Sequence, residues 1–245
     1  MGTSRSDRWL EGGARLIPNR ERRLYGRRRG KTLRPRRQAL IDELLPRLRI
    51  ALQPGLDPLT LFDHAPAAAW LEVGFGGGEH LAAQARLQPG IGLIGCEPFV
   101  NGLASLLATI DEEGLVNIRV HDDDARFLID CLAEASIARL FLLFPDPWPK
   151  ARHHKRRFVN SETLDAIARI LADGAELRLA TDDMSYCRWM LEHLARHDAF
   201  SWTARRPMDW RRRPSDWPET RYEAKARQCG RPLVFLRYRR RPRSY

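Results

Sequence analysis

An apolar run gives way to a cluster of glycines in the segment Leu71-Glu72-Val73-Gly74-Phe75-Gly76-Gly77-Gly78-Glu79, and this change is the strongest indication of the fold class. The apolar residues of Ala67–Phe75 predict a β-strand, and the amphipathic stretch Glu79–Leu87 predicts the helix that follows it. Glycines between a strand and a helix let the backbone turn sharply and approach a ligand closely. Because position 79 is Glu, the spacing is not the G-x-G-x-x-G pattern of dinucleotide-binding proteins.

The same alternation of strand and helix continues along the chain in both directions. The predicted strands are Ala67–Phe75, Ile91–Cys96, Val116–His121, Ala138–Phe144, Ala175–Ala180 and Leu233–Tyr238. The predicted helices are Gln38–Leu52, Glu79–Leu87, Val100–Glu113, Ala125–Glu134, one capped by Ser161 and running to Ala172, and Met184–His197. Repeated strand–helix units predict an α/β fold with a doubly wound, mostly parallel sheet flanked by helices. Ligands of such sheets bind at the carboxyl ends of the strands.

Acidic residues follow the second and third predicted strands. Glu97 ends the second strand, where a carboxylate can accept hydrogen bonds from both hydroxyls of a ribose. Nicotinamide-dependent enzymes use the same contact, so Glu97 indicates a nucleoside cofactor without choosing which. Asp122, Asp123 and Asp124 follow the third strand, where an acid either contacts a ligand or caps the next helix.

The segment Phe144-Pro145-Asp146-Pro147-Trp148-Pro149-Lys150 follows the fourth predicted strand. Its three prolines stiffen the chain and hold Asp146 and Trp148 in a preset geometry. Residues 150–157 then contain five Lys or Arg residues and no acid. A basic run is usually a solvated face, but beside a candidate site it indicates a clamp for phosphates. The adjacent His153 and His154 have no partner ligands at metal-site spacing, so we interpret them as RNA contacts or surface residues.

These segments resemble known family motifs. The glycine segment is similar to motif I of class I S-adenosylmethionine-dependent methyltransferases, including the acidic Glu72 before the first glycine. The proline-rich segment Phe144–Lys150, called here the proline loop, and the basic run 150–157 resemble the signature of the bacterial tRNA (guanine-N7)-methyltransferase family. Ala180-Thr181-Asp182 is similar to the A-T-D motif of that family, and Thr220-Arg221-Tyr222-Glu223 to its T-[KR]-[FY]-E motif. The resemblance covers roughly residues 24–240.

The resemblance implies S-adenosyl-L-methionine as the cofactor and tRNA as the substrate, methylated at N7 of a guanine in the variable loop. The implied cofactor-binding residues are Glu72, Gly74, Gly76, Gly78, Glu97, Asp124 and Asp146. Asp124 is preferred over Asp122 and Asp123 by its spacing, and Asp146 is the implied catalytic residue. The implied contacts to the nucleotide and the RNA backbone are Lys150, Arg152, His153, His154, Lys155, Arg156, Arg157, Asp182, Thr220, Arg221, Tyr222 and Glu223.

Guanine N7 carries a free lone pair, so methyl transfer needs no base to create the nucleophile. Catalysis should then consist mostly of positioning and electrostatics. We hypothesise that Asp146 and Asp182 orient the guanine through its N1–H and exocyclic amino group, a role that fits better than that of a general base. Trp148 is either a stacking platform for a splayed base or a residue that packs the proline loop against the sheet.

Charge is concentrated at the N-terminus. The formal net charge is +11, and residues 1–37 hold 13 Lys or Arg against three Asp or Glu residues. We expect a basic, flexible arm over residues 1–37 and a single methyltransferase domain over residues 38–245. The imbalance favours a polyanionic partner, although charge alone does not separate RNA from DNA, an anionic membrane surface or a merely solubilising tail.

Other classes of protein fit the sequence less well. With no apolar run long enough for a bilayer and no apolar leader, we expect a soluble, cytoplasmic protein with no metal and no evident protein partner. DNA and protein-glutamine methyltransferases would show [DN]-P-P-[YF] in place of Asp146–Pro149, and a nicotinamide dehydrogenase would need a different glycine spacing. A non-catalytic RNA-binding protein would not need the full set of acids. The Arg- and Trp-rich stretch Arg205–Trp217 receives no role.

Overall fold

A computed structural model describes residues 24–243, so residues 1–23 of the predicted arm and residues 244–245 lie outside the described residues. In chain order the strands are β1 (Ala68–Val73), β2 (Ile91–Cys96), β3 (Ile118–His121), β4 (Ile137–Leu143), β5 (Leu171–Thr181), β6 (Phe200–Trp202) and β7 (Val234–Arg240). The α-helices are α1 (Pro35–Glu43), α2 (Leu45–Leu48), α3 (Glu79–Leu87), α4 (Val100–Glu113), α5 (Ala125–Cys131), α6 (Ser161–Ile170), α7 (Met184–Ala195), α8 (Met208–Arg211) and α9 (Arg221–Gln228).

In the described range the strands form one sheet in the order β3-β2-β1-β4-β5-β7-β6. The first five strands of that order are parallel, whereas β7 is antiparallel to both β5 and β6. The chain reverses its direction of winding between β1 and β4, which leaves a crevice at the carboxyl ends of these two strands. The predicted fold class, a doubly wound and mostly parallel sheet, is confirmed.

Apolar side chains fill both faces of the sheet. One core cluster joins the sheet to α5, α6 and α7, and the other joins it to α2, α3 and α4. Adjacent residues of β1 divide between the two, because Leu71 and Val73 belong to the first cluster and Trp70 to the second. Among residues 24–243, no helix is both long enough and apolar enough to cross a membrane.

Several helices begin or end at other residues than the sequence predicts. The single helix expected over Gln38–Leu52 begins at Pro35 and is divided into α1 and α2, because Pro46 has no N–H to continue the first helix. The cap of α6 is Asn160 instead of Ser161, since Asn160 and Thr163 form a reciprocal capping box. Helix α5 ends at Cys131, three residues before the expected Glu134. The elements β6, α8 and α9 were not predicted.

The part of the predicted arm that the structure describes packs against the domain. The N–H of Val100 donates to the carbonyl of Arg28 over 3.0 Å, and the N–H of Gly30 donates to Oδ1 of Asn101 over 2.8 Å. Asn101 in turn donates to the carbonyl of Lys31. Residues 28–31 therefore lie along the start of α4, and the preceding residues reach the crevice of the sheet.

Candidate active site

The turn after β1 requires glycine at two positions. The angle φ is +58° at Gly76 and +83° at Gly78, a region in which a side chain is strained. A Cβ on Gly78 would lie 2.7 Å from Cδ1 of Leu106, and a Cβ on Gly76 would lie 3.0 Å from Cε2 of Tyr222. The glycine cluster thus brings the backbone close to α4 on one side and to α9 on the other.

Glu97 follows β2 and is bound to the glycine turn. Its Oε2 accepts the N–H of Gly76 over 2.8 Å, and its Oε1 accepts the N–H of Phe99 over 3.0 Å. Burial raises the pKa of Glu97, the two N–H groups lower it, and the negative charges of Asp146 and Glu72 raise it further. Glu97 is therefore a preoriented carboxylate whose negative charge is incompletely balanced.

Asp124 follows β3 and is the N-cap of α5. Its carboxylate accepts the N–H of Arg126 over 3.0 Å and receives the guanidinium of the same residue. Asp122 and Asp123, which could also have been caps, instead form ion pairs with Arg49 and Arg28. Asp124 is the buried member of the three, and its preference over Asp122 and Asp123 as a cofactor contact stays a prediction.

Asp146 lies in the loop after β4 and is exposed. The loop is bent by two non-glycine residues with positive φ, Phe144 at 51° and Trp148 at 45°. Such angles are rare in residues with side chains and persist only where the surrounding structure enforces them. The prolines and these angles together set the direction of the chain on either side of Asp146.

Arg157 is buried beneath this loop and binds it to the rest of the protein. Its predicted role as a contact for the RNA backbone is therefore corrected. Its Nε donates to the carbonyl of Pro147 over 2.9 Å, and a terminal nitrogen donates to Oγ of Ser185 over 3.0 Å. The guanidinium also lies 5.0 Å from the ring centre of Tyr186 and 5.1 Å from that of Trp189. Because Arg157 is only 2% exposed, it ties the loop to α7 and does not offer its charge to a phosphate.

Aromatic residues surround Arg156 at the edge of the crevice. Its guanidinium lies 4.4 Å from the ring centre of Tyr25 and 5.0 Å from that of Trp148. The two rings meet edge to face at 6.2 Å, and the rings of His153 and Trp148 also meet edge to face, at 5.9 Å. Trp148 therefore packs within its own loop, yet stays partly exposed and lines the cavity described next.

A cavity of about 580 Å³ opens at the carboxyl ends of β1, β2 and β4. Small-molecule sites usually measure about 300–1,000 Å³. Predicted site residues that line it are Gly74, Gly76, Glu97, Asp124, Asp146, Lys155, Arg156, Arg157 and Tyr222. The topology has therefore brought together acids that are widely separated in the sequence.

Two of the predicted cofactor residues lie behind the cavity wall. The buried carboxylate of Glu72 pairs with Nδ1 of His80 over 2.7 Å, and Gln84 lies 3.3 Å from the other ring nitrogen. Gly78 is the N-cap of α3 and packs against α4. Glu72 acts on the cavity through its charge, which raises the pKa of Glu97.

The Thr220–Glu223 motif divides between structure and surface. Thr220 caps α9 by accepting the N–H of Glu223, whose own buried side chain pairs with Arg213 and Arg227. Arg221 and Tyr222 are exposed, Arg221 pairing with Glu79 and Tyr222 lying over Gly76. Thr220 and Glu223 are thus buried, but Oε2 of Glu223 has no hydrogen-bond partner among the described residues. The predicted contact of all four residues with the nucleotide stays a prediction.

The remaining predicted substrate residues lie around the mouth of the cavity or beyond it. Lys150 and Arg152 are exposed at the start of a short 3₁₀ helix, Ala151–Arg156. His154 is turned inward, with its ring 5.6 Å from that of Trp189. Asp182 is partly exposed and accepts a hydrogen bond from Arg231 over 2.9 Å.

Two groups at the cavity were missed by sequence reasoning. Leu24–Arg27 line it, although this arginine-rich stretch has no apolar periodicity and the family resemblance, which begins near residue 24, implied no contact for it. Arg126 also lines it and was hidden by its place on the first turn of a predicted helix.

Comparisons with known proteins agree with this architecture. A family model described as "Putative methyltransferase" matches residues 66–236. The tRNA (guanine-N(7)-)-methyltransferase of Rhodospirillum rubrum is 53% identical over 232 residues, covering 93% of this chain and 91% of the relative. The protein of the same name from Paramagnetospirillum magneticum is 51% identical, covering 90% of this chain and 94% of the relative.

Solved structures share the fold at low sequence identity. The 16S rRNA methyltransferase KamB superposes with a TM-score of 0.51 and 15% identity, covering 76% of this chain and 91% of that one. An rRNA methylase from Streptococcus thermophilus superposes with a TM-score of 0.50 and 16% identity, covering 71% and 87%. At these identities the likeness concerns the fold alone.

Proposed function

This chain belongs to the tRNA (guanine-N7)-methyltransferase family, and from that premise we propose that it methylates N7 of a guanine in the variable loop of tRNA, with S-adenosyl-L-methionine as the donor. The observation that carries the proposal is one cavity lined by both Glu97 and Asp146, beside the basic residues Lys155 and Arg156. A nucleoside cofactor and a base attached to phosphates would need this combination of groups.

The residues present fit a positively charged cofactor. Burial, and then the like charges of Asp146 and Glu72, raise the pKa of Glu97, and a bound cation would offset both effects. Gly74 and Gly76 would lie against the cofactor, and Glu97 would accept hydrogen bonds from its ribose. Asp124 would contact the adenine while shared with Arg126, since each carboxylate oxygen can accept more than one hydrogen bond.

S-adenosyl-L-methionine supplies, when bound, a methyl group on a positively charged sulfur that a nitrogen lone pair can attack. Asp146 would accept hydrogen bonds from the N1–H and amino group of the guanine and so orient N7 within the cavity. Its negative charge would also stabilise the positive charge that methylation leaves on the guanine ring. Asp182 would assist once its contact with Arg231 is released.

The exposed basic residues around the cavity would hold the RNA backbone. Lys150, Arg152 and Lys155 are exposed beside the proline loop, and Arg221 is exposed at the start of α9. Their charges suit phosphates on either side of the methylated nucleotide. Tyr222, which is 54% exposed, and Trp148 offer ring faces to a base drawn out of the stack.

The experiment is methyl transfer from labelled S-adenosyl-L-methionine to an unmodified tRNA transcript, followed by digestion to nucleosides. We expect the label in 7-methylguanosine, and none in a transcript whose variable-loop guanine is replaced by adenine. Label in a different nucleoside, or undiminished label in the substituted transcript, would contradict the proposed reaction.

A further inference from the structure

Four exposed arginines lie close together on the segment between β6 and α9. They are Arg205, Arg206, Arg211 and Arg212. Within residues 24–243, none of their guanidinium groups forms an ion pair or a hydrogen bond with a carboxylate. Some other exposed arginines do have acidic partners, since Arg28 pairs with Asp123 and Arg86 with Glu113.

Asp209, the one acid between Arg205 and Arg212, is used by the backbone. Asp216 and Glu219, further along the segment, pair with Arg178 and Arg227. Oδ2 of Asp209 accepts the N–H of Arg205 over 2.9 Å and the N–H of Arg206 over 3.0 Å. These hydrogen bonds hold the pKa of Asp209 below its usual range. The carboxylate therefore fixes the turn into α8, and its charge also interacts with that of Arg206. The guanidinium of Arg211 lies 4.7 Å from the ring centre of Trp210 and stays exposed.

The segment is anchored at both ends, so its charges have a fixed place. Before α8, Thr203 makes two hydrogen bonds to the carbonyl of Arg237 in β7, and within α8 Trp210 packs against the core. After α8, Arg213 donates to the carbonyl of Trp217, which is fully buried. Because the backbone that carries these arginines is already fixed, little further conformational entropy is lost when a polyanion binds.

The segment also leads to the cavity. Arg213 forms an ion pair with Glu223 over 3.2 Å, and the adjacent Tyr222 lies over Gly76 at the cavity rim. An RNA that places one nucleotide in the cavity can thus continue outside it, along α9 and towards α8. The proposed substrate is far larger than a 580 Å³ cavity and must rest on further surface.

We propose that these four arginines, the α8 surface, form a second contact for tRNA, binding its phosphate backbone away from the methylated guanine. This inference rests on the proposed function. The chemistry is that of phosphate recognition by guanidinium groups, which supplies affinity and register without reading the base sequence. The α8 surface accounts for the Arg-rich stretch to which the sequence alone gave no role.

The test compares three double variants, each removing two exposed arginine charges. Arg205→Gln with Arg206→Gln, and Arg211→Gln with Arg212→Gln, alter the α8 surface. Arg47→Gln with Arg196→Gln is the matched control, because these two arginines are also exposed and unpaired but lie on α2 and just after α7. Thermal unfolding of all three should match that of the unaltered protein, since none of the six side chains is buried.

Each α8-surface variant should raise the Kd for tRNA by about 10-fold and reduce the slope of log Kd against log salt by about 2, as expected for two lost phosphate contacts. Its cofactor affinity, and its kcat at saturating tRNA, should stay unchanged. Equal tRNA affinity in the α8-surface and control variants would overturn the inference, and so would a loss of kcat without a loss of affinity. Failure of the unaltered protein to methylate tRNA would instead overturn the proposed function, so the two failures are distinguishable.

Discussion

Glu97 shows at the scale of one residue how the fold prepares a binding group. The carboxylate is fixed by two backbone N–H groups, yet burial and the nearby charges of Asp146 and Glu72 disfavour its ionised form. A cation in the cavity would favour that form again. Binding of a cationic cofactor and ionisation of Glu97 are therefore linked.

Cofactor affinity should fall as the pH is lowered through the raised pKa of Glu97. The raised pKa means that the charged carboxylate is lost at a higher pH than that of a glutamate with the ordinary value of 4.5. Calorimetric titration with S-adenosyl-L-methionine from about pH 8 to about pH 4, a range that includes the ordinary pKa of glutamate, would show this. The Glu97→Gln variant should bind at least about 10-fold more weakly, with little dependence on pH. An affinity of the unaltered protein that stays constant over this range would contradict the linkage.

The residue scale also shows where sequence reasoning succeeds. Glu97, Asp124 and Asp146 follow three different strands, and parallel strands bring their carboxyl ends to one edge whatever the details of packing. The role of Glu72 was harder to predict, because Glu72 lies inside β1. Side chains alternate between the two faces of a strand, so Glu72 lies on the same face as Trp70 and contacts His80. That alternation was visible in the sequence and could have predicted a supporting role.

At the scale of elements, the loop after β4 depends on α7. Arg157 bridges the carbonyl of Pro147 and the hydroxyl of Ser185, and its charge lies against two aromatic rings of the same helix. The prolines restrict the loop locally, but its position relative to the sheet comes from this distant helix. The basic run 150–157 thus contains both an internal brace and exposed contacts.

Replacing Arg157 by Ala should lower the free energy of unfolding by about 2–4 kcal/mol, because buried hydrogen-bonding groups lose their partner. It should also reduce kcat, since Asp146 is no longer held in place. The matched variant Arg152→Ala removes an exposed charge and should leave stability unchanged while weakening tRNA binding. Denaturant unfolding and steady-state kinetics of both variants measure these effects. Equal stability of the two variants would show that Arg157 is not a brace.

The elements that were not predicted lack a clear apolar period. Helix α9 has the sequence Arg-Tyr-Glu-Ala-Lys-Ala-Arg-Gln, so its only strong signal is the cap at Thr220. Strand β7 was predicted, but its antiparallel direction was not, because alternating apolar residues look the same in either direction. The contacts that decide both features come from residues far away in the sequence.

At the scale of the whole molecule, the order of the strands creates the site. The reversal between β1 and β4 opens the cavity, the chain before α1 reaches its rim, and α9 covers the glycine turn. The basic residues beside the proline loop and those of the α8 surface then offer positive charge at two places on the molecule. A substrate with one reactive base and many phosphates matches this distribution of charge.

Asp146 tests the central claim that the cavity orients a guanine for methylation. The measurement is the kcat for methyl transfer to tRNA by the Asp146→Ala variant, alongside its Kd for S-adenosyl-L-methionine. We predict that kcat falls by about 100-fold or more, as expected when one preorganised electrostatic contact is removed, whereas the Kd changes much less. Equal losses in kcat and cofactor affinity, or no loss in either, would contradict the positioning role of Asp146.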